Sequence, residues 1–325
     1  MVIFLAATAG AAILVSIALY KKKGNQHKTL LKENIPENLG LLYGVPAQHL
    51  MAKLEQALPY EYVNQVKIRF LSEHPDVSED EFEWRIFELK RYFILNSIMK
   101  NTPMFSVKVD EIWHEMLMFT KQYEVFSNNY LGKMLHHTPN LEPEPAPQER
   151  AFFDWVFAQL FEVTEYTWKA WGSFFQYPLD QTVLKNVYAL SDEELKQRYF
   201  KVDENNEELV SYLIRQLKQQ LLESEDMYSK HKKGKFTRPA RYGDLSPLTM
   251  VMVFYSYYYY DEYWVYAKEY AYASQAHGTS GCSAVFCGSG NSSHDSNDGK
   301  GCSSHSCNGS CSSGSSCSSC GGGCS

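Results

Sequence analysis

The sequence predicts an all-α body, and three observations predict it. Apolar residues recur at three- and four-residue spacing through most of residues 45–275. No stretch shows the period-two alternation of a half-buried strand. Helix-start chemistry, a serine followed by acids, stands ahead of two of the periodic runs. The expected arrangement is a set of antiparallel helices around one core. It sits behind an N-terminal transmembrane helix and ahead of a disordered Gly/Ser/Cys-rich C-terminal tail. No fixed-period repeat appears.

Val2 to Tyr20 is apolar and uncharged, close to the roughly 20 residues that span a bilayer. Lys21-Lys22-Lys23 follows directly. A cleavable signal peptide carries its positive charge ahead of the apolar run. Here the order is reversed, and lysines stay on the cytoplasmic side. The expectation is a single-pass cell-membrane protein anchored by residues 1–23, with its N-terminus outside and its main domain cytoplasmic. The alternative is an atypical signal peptide cut near Ala6-Ala7 or Ala11-Ala12. Residues 24–44 read as a polar juxtamembrane linker.

Pro46 to Leu58 reads as a short helix, with Leu50, Leu54 and Leu58 four apart. Tyr60 to Leu71 reads as another. Ser78 is the N-cap expected for a helix running to Met99, with acids in its first turn and Phe82, Ile86, Leu89, Tyr92, Phe93 and Leu95 on an apolar face. Asn101-Thr102-Pro103 ends it. A helix from about Asp110 to Asn128 follows, then a turn and short segment from Tyr130 to His137. Residues 141–150, beginning with the Pro/Glu alternation of Leu141 to Pro147, form a connector and a candidate sub-boundary. Ala151 to Phe175 reads as one long aromatic helix. Ser191 and Glu194 form a capping box at the start of another. Glu207 to Glu225 is strongly amphipathic. Leu245 to Ala273 reads as a last, tyrosine-rich helix, too short and too phenolic from Leu248 to Tyr260 for a second span. It suits the core, or the headgroup zone of a bilayer.

The net charge of −7 argues against a nucleic-acid partner, which calls for a basic face. All eight cysteines lie beyond residue 280, so the body has no disulfide and no cysteine nucleophile. Neither a dinucleotide or phosphate glycine loop nor a Gly-x-Ser-x-Gly elbow is present. His231 to Arg241 is a basic loop, solvated or in contact with anionic lipid headgroups.

Chemistry concentrates between Val109 and Pro139. Asp110 and His114 are four apart and share a helix face. Glu111 reaches much the same side. His136 and His137 follow Gly132, which permits a tight return. If that turn brings an imidazole back beside His114, a His/carboxylate site results that suits a transition metal such as Zn, or Fe, Ni or Cu. In the purely structural reading Asp110 is its helix's N-cap, Trp113 a core anchor and His114 a polar core residue. One histidine of the doublet then faces solvent.

The pattern Val109-Asp110-x-x-Trp113-His114, continuing through Thr120, Tyr123, Phe126, Gly132 and His136-His137-x-Pro139, resembles a group of poorly characterised bacterial proteins. These are similar to the glycine-rich domain-containing protein-like family. The resemblance covers residues 60 to 140 well and extends more weakly to about 275. It implies a helical fold and no established activity. Some members are similar in having a membrane segment and a Gly- or Cys-rich tail.

From residue 276 to 325 the chain is dominated by Gly, Ser and Cys, with a few His, Asp and Asn. Such a segment lacks the apolar surface to offset its chain entropy. Cys317-x-x-Cys320 has zinc-knuckle spacing, and His277, His294 and His305 add nitrogen donors. The readings are a low-complexity tail, a thiolate metal binder, or a substrate for Ser/Cys cyclisation into azoles. Two functions follow for the whole. One is a non-enzymatic membrane protein whose helical domain engages an unknown protein partner or a metal. The other is a metal-dependent enzyme built on Asp110, His114 and His136 or His137.

Overall fold

The computed structural model describes residues 31–137, 146–237 and 245–270. The apolar run at 2–20, the connector at 138–145 and the tail at 276–325, with Cys317 and Cys320, lie outside them. Twelve α-helices make up the described chain: α1 Gln48–Ala57, α2 Tyr60–Glu73, α3 Glu79–Ile98, α4 Val107–Met118, α5 Thr120–Leu131, α6 Pro147–Leu160, α7 Glu165–Trp171, α8 Gln181–Ala189, α9 Asp192–Tyr199, α10 Glu207–Lys230, α11 Ser246–Tyr258 and α12 Tyr263–Ala267. Among the described residues, β pairing is limited to two single bridges, Leu41 with Phe161 and Met99 with Phe200. One continuous apolar core runs through them, from Val45 to Ala267. No helix among the described residues is long and apolar enough to cross a membrane.

Helix α3 is the axis of the N-terminal half. Ser78 caps it by accepting from Glu81 N at 3.1 Å, with Glu79, Asp80 and Glu81 in the first turn, where the helix dipole favours acids. Nearly every residue from Phe82 to Ile98 is buried. Helices α1, α2, α4 and α7 pack around it. Burial on all sides forces its charged residues to find partners inside the protein. Glu88 accepts from Thr167 Oγ1 at 2.7 Å and from Trp171 Nε1 at 2.9 Å, which docks α7. Arg91 donates to Leu39 O at 2.8 Å and lies 4.0 Å above the Phe87 ring.

The C-terminal half is organised by α10, which packs on α6, α8, α9 and α11. Trp155 Nε1 donates to Gln220 Oε1, and Gln220 Nε2 donates to Thr249 Oγ1, each at 2.7 Å. That tie joins α6, α10 and α11. A second buried tie centres on Asp154. It accepts from Arg150 Nε at 2.7 Å and from Phe175 N at 2.8 Å, while Tyr263 donates to Phe175 O at 2.9 Å. Burial pushes the Asp154 carboxyl up to about 6, against the pull of Arg150 and of the Phe175 amide.

Several elements differ from the sequence reading, each for a tertiary reason. The helix expected from Asp110 to Asn128 breaks at Phe119 (φ −94°, ψ 61°). There Met116 O accepts from Phe119 N at 3.1 Å and from the Tyr62 hydroxyl at 2.8 Å, partners that an unbroken helix would not offer. The expected helix from Ala151 to Phe175 stops at Leu160. The chain extends there so that Leu42 N can reach Leu160 O and Glu162 N can reach Gly40 O, both at 2.8 Å. Thr164 then starts α7 with its own capping box. The last helix breaks at Tyr259 and resumes as α12. Helix α8, capped by Asp180, is absent from the sequence reading, although an acid followed by Leu184 and Val187 signals it. The stretch read as a linker is part of the folded body from residue 31 onward, through Leu39, Gly40 and Leu42.

Candidate metal centre

Helix α4 begins at Ser106, whose hydroxyl accepts from Val109 N at 3.2 Å. The N-cap role considered for Asp110 is therefore taken, and Asp110 lies in the first turn with its side chain available. Val109, Ile112, Trp113 and Met116 form the buried face of α4. Asp110 and His114 share another face, one turn apart. Glu111, grouped with them by spacing alone, instead pairs with Arg85 of α3. Glu115 pairs with Arg69 of α2.

The third member comes from the chain's return. Helix α5 ends at Gly132, in left-handed conformation at φ +70°, where a residue lacking Cβ is unstrained. The returning segment is then held back against α5. Ser127 Oγ donates to Lys133 O at 2.9 Å and accepts from Leu135 N. The Tyr123 hydroxyl donates to Leu135 O at 2.7 Å and accepts from Trp113 Nε1 at 2.9 Å. Burial pushes that phenol up to about 12, so it keeps its proton, and its donor role, across the physiological range. Two residues after Leu135, the His137 ring packs on Trp113 with centroids 4.3 Å apart. Trp113, Tyr123, Ser127 and Gly132 are thus the frame that delivers His137.

His137 Nε2 lies 2.7 Å from Asp110 Oδ1, and His114 Nε2 lies 3.7 Å from Asp110 Oδ2. The two imidazoles are near-parallel, with centroids 4.5 Å apart. One ligand atom from each of Asp110, His114 and His137 falls within 4.8 Å of the others. His136 is exposed and outside the group. Burial grades across the site: the His137 side chain is 5% exposed, Asp110 23% and His114 47%.

These distances bear on whether an ion fits. Ligands about 2.0–2.1 Å from a tetrahedral ion stand about 3.4 Å apart. The Asp110–His137 separation is shorter than this edge, the Asp110–His114 separation is longer, and the three ligand atoms lie within 4.8 Å of one another, so side-chain shifts of up to about 1 Å accommodate an ion. Two imidazoles and one carboxylate suit Zn or another first-row transition metal, and leave a coordination position open. Without an ion the same atoms make a carboxylate–imidazole hydrogen bond that latches the return loop to α4.

A family model described as UCP032817-like matches residues 52–153, about a third of the chain. The match runs from within α1 through α5 to the start of α6, and so includes Asp110, His114, His136 and His137. No curated protein and no solved structure matches the chain.

Proposed function

We propose that this chain is a membrane-anchored metal-binding protein whose helical body holds a divalent transition metal, Zn foremost, on Asp110, His114 and His137. The observation that carries the reading is the convergence of three ligand-type side chains from two separate segments within 4.8 Å. The frame of Trp113, Tyr123, Ser127 and Gly132, which brings His137 back beside Asp110, supports it. The apolar run at 2–20 with Lys21 to Lys23 behind it supports a single-pass anchor and a body on the cytoplasmic side. Signs of a phosphate loop or a basic nucleic-acid face are lacking, which favours a binding or protein-interaction module. Likeness to the glycine-rich domain-containing protein-like family agrees with a helical scaffold and names no reaction.

The test is metal content of the full chain, solubilised in detergent, against Asp110→Asn and His137→Ala. Because thiolates are themselves ligands for Zn, the comparison is made in a chain with all eight cysteines changed to serine. One tightly held ion, lost in both variants with helix content unchanged, is the expected result. A cysteine-free chain that retains no ion at any pH between 6 and 8 sinks the reading and leaves the hydrogen-bonded latch.

The half-exposed His114 favours one second reading. An ion held on three protein ligands and open to solvent activates water, so metal-dependent hydrolysis is the activity to screen once an ion is found.

A further inference from the structure

We propose that the cleft between α10 and α11 is the docking surface for a second copy of this chain, paired about a two-fold axis that crosses the last turn of α10. The proposal stands apart from the metal reading. Three observations lead to it.

The first is the cleft. It spans about 530 Å³ and opens to solvent. Leu222 and Met227 of α10, Met250 of α11 and Phe236 of the loop after α10 give it an apolar lining. Leu222 is 54% exposed. A lone exposed leucine is ordinary on a protein surface. One on the lip of an apolar cleft extends a surface that gains by being covered.

The second is that the loop beside the cleft is pinned. The Tyr255 hydroxyl donates to Lys233 O at 3.0 Å and the Tyr259 hydroxyl to Lys232 O at 2.5 Å. Gly234 N donates to His231 O at 2.8 Å. The Phe236 ring stands edge-on to Phe254 and Tyr255, with centroids 5.3 and 5.8 Å apart. The loop backbone is therefore already ordered, and a partner that docks on it loses little further entropy.

The third is the order of charge. Glu223 and Asp226 lie at the cleft, and the loop that follows carries Lys233 and Lys235, both exposed. Lys232 lies 4.0 Å above the Tyr228 ring and Lys230 pairs with Asp226 at 2.6 Å. Among the described residues Lys233 and Lys235 form no ion pair. Both members of the Asp226–Lys230 pair are mostly exposed, so it holds Asp226 weakly. Glu223 accepts only from Gln219, at 2.9 Å. Acids thus precede unpaired lysines along one end of α10. A surface ordered this way is complementary to itself. Turned about a two-fold axis perpendicular to the helix, the acids of one copy meet the lysines of the other, and symmetry supplies the reverse contact. The apolar lining of the cleft is covered in the same step. A foreign partner needs only one sign of charge here; both signs in this order favour a second copy.

The experiment measures the protein mass of the full chain in detergent by sedimentation, under reducing conditions that keep the cysteines from cross-linking. A dimer is expected. Glu223→Lys with Asp226→Lys sets lysines against lysines. Lys233→Glu with Lys235→Glu sets acids against acids. Each pair of changes is expected to weaken self-association about tenfold or more. The two reversed chains, differently tagged and mixed in equal amounts, are expected to restore a dimer holding one of each. Where circular dichroism shows the first reversal unfolded, the neutral Glu223→Gln with Asp226→Asn takes its place, with weakening again expected and an unchanged mass overturning the proposal.

A parent chain that stays monomeric at about 100 μM, far above the micromolar weak end of ordinary interfaces, overturns the proposal and leaves the cleft to a different partner. An oligomer indifferent to both reversals overturns it as well, because its copies are then held together elsewhere. Two weakened variants that fail to rescue each other refute the two-fold pairing.

Discussion

Replacing Tyr123 by Phe removes one hydroxyl and two hydrogen bonds, and it tests how the return loop is held. Trp113 Nε1 loses its acceptor at 2.9 Å and Leu135 O loses its donor at 2.7 Å. A buried polar group stranded this way costs about 1–3 kcal/mol. Trp113 is 3% exposed and takes the full cost. Leu135 is half-buried, so water recovers part of its bond, and its share is close to 1 kcal/mol. Phe is also the easier side chain to bury, which offsets a fraction. The expected net loss is about 2–3 kcal/mol, read as a lowered urea midpoint at unchanged m-value. It is well inside the roughly 5–15 kcal/mol that hold a domain together, so the variant still folds. The ring keeps its place beside Phe126, at 6.0 Å between centroids. Freed from Leu135, the loop no longer fixes His137, and metal affinity is expected to fall about 10–100-fold, the usual effect of losing an outer-shell partner. Tyr130→Phe is the control. Its hydroxyl lies in the core, 3.4 Å from Phe93 O and beside Ser97, and contacts neither Trp113 nor the return loop. It should cost about 1 kcal/mol and leave metal affinity unchanged. If Tyr123→Phe loses under 0.5 kcal/mol, or if both variants weaken metal equally, the frame does not position His137 as argued.

Three further outcomes follow from features of the fold. Gly132→Ala should cost only about 1 kcal/mol, the strain of a left-handed residue, because no atom lies within 4 Å of the added methyl. Gly40→Ala should be far worse, since its methyl would meet Arg91 Nη2 and stand 2.9 Å from Glu162 Cγ. Parallel thermal melts check the order of the two. Ser106→Ala removes the α4 cap and should cost about 1 kcal/mol in a denaturant titration, with Asp110 too far into the first turn to replace it. For Asp154, the folded carboxyl is raised from 3.8 to about 6, so its contribution to stability is complete below the unfolded value and is lost as pH rises through 6. At about 1.4 kcal/mol per unit this is about 3 kcal/mol. The stability difference between the parent chain and Asp154→Asn should therefore shift toward the parent as pH falls from 7.5 to 5; a difference that is flat with pH refutes it.

The helical class was legible because α1, α2, α3 and α10 each carry a continuous apolar face and need no partner to be recognised. Caps at Ser78 and Ser191 were legible for the same local reason. Helix breaks at Phe119 and Leu160 were not. Their causes, the Tyr62 hydroxyl and the backbone of Gly40 and Leu42, lie far away in sequence, and local periodicity runs straight through both points. The site divides along the same line. Asp110 and His114 share a face by helix spacing alone. That Glu111 leaves the site depends on Arg85, on a different helix. That His137 rather than His136 turns inward depends on how Tyr123 and Ser127 grip the loop, which no rule of spacing contains.

The embrace of α3 by both ends of the body sets where this protein can be cut. A fragment trimmed to residues 52–153 would carry Glu88 and Arg91 but not Leu39, Thr167 or Trp171, the groups that satisfy them. It would also strand Ile98 O, which takes Lys201 N, and Lys100 N, which reaches Tyr199 O. On the ribosome the same dependence imposes a delay: the axis helix is synthesised early, yet Glu88 and Arg91 lack Thr167 and Trp171 until the chain has grown past residue 171, and its C-terminal end lacks its partners until past residue 201.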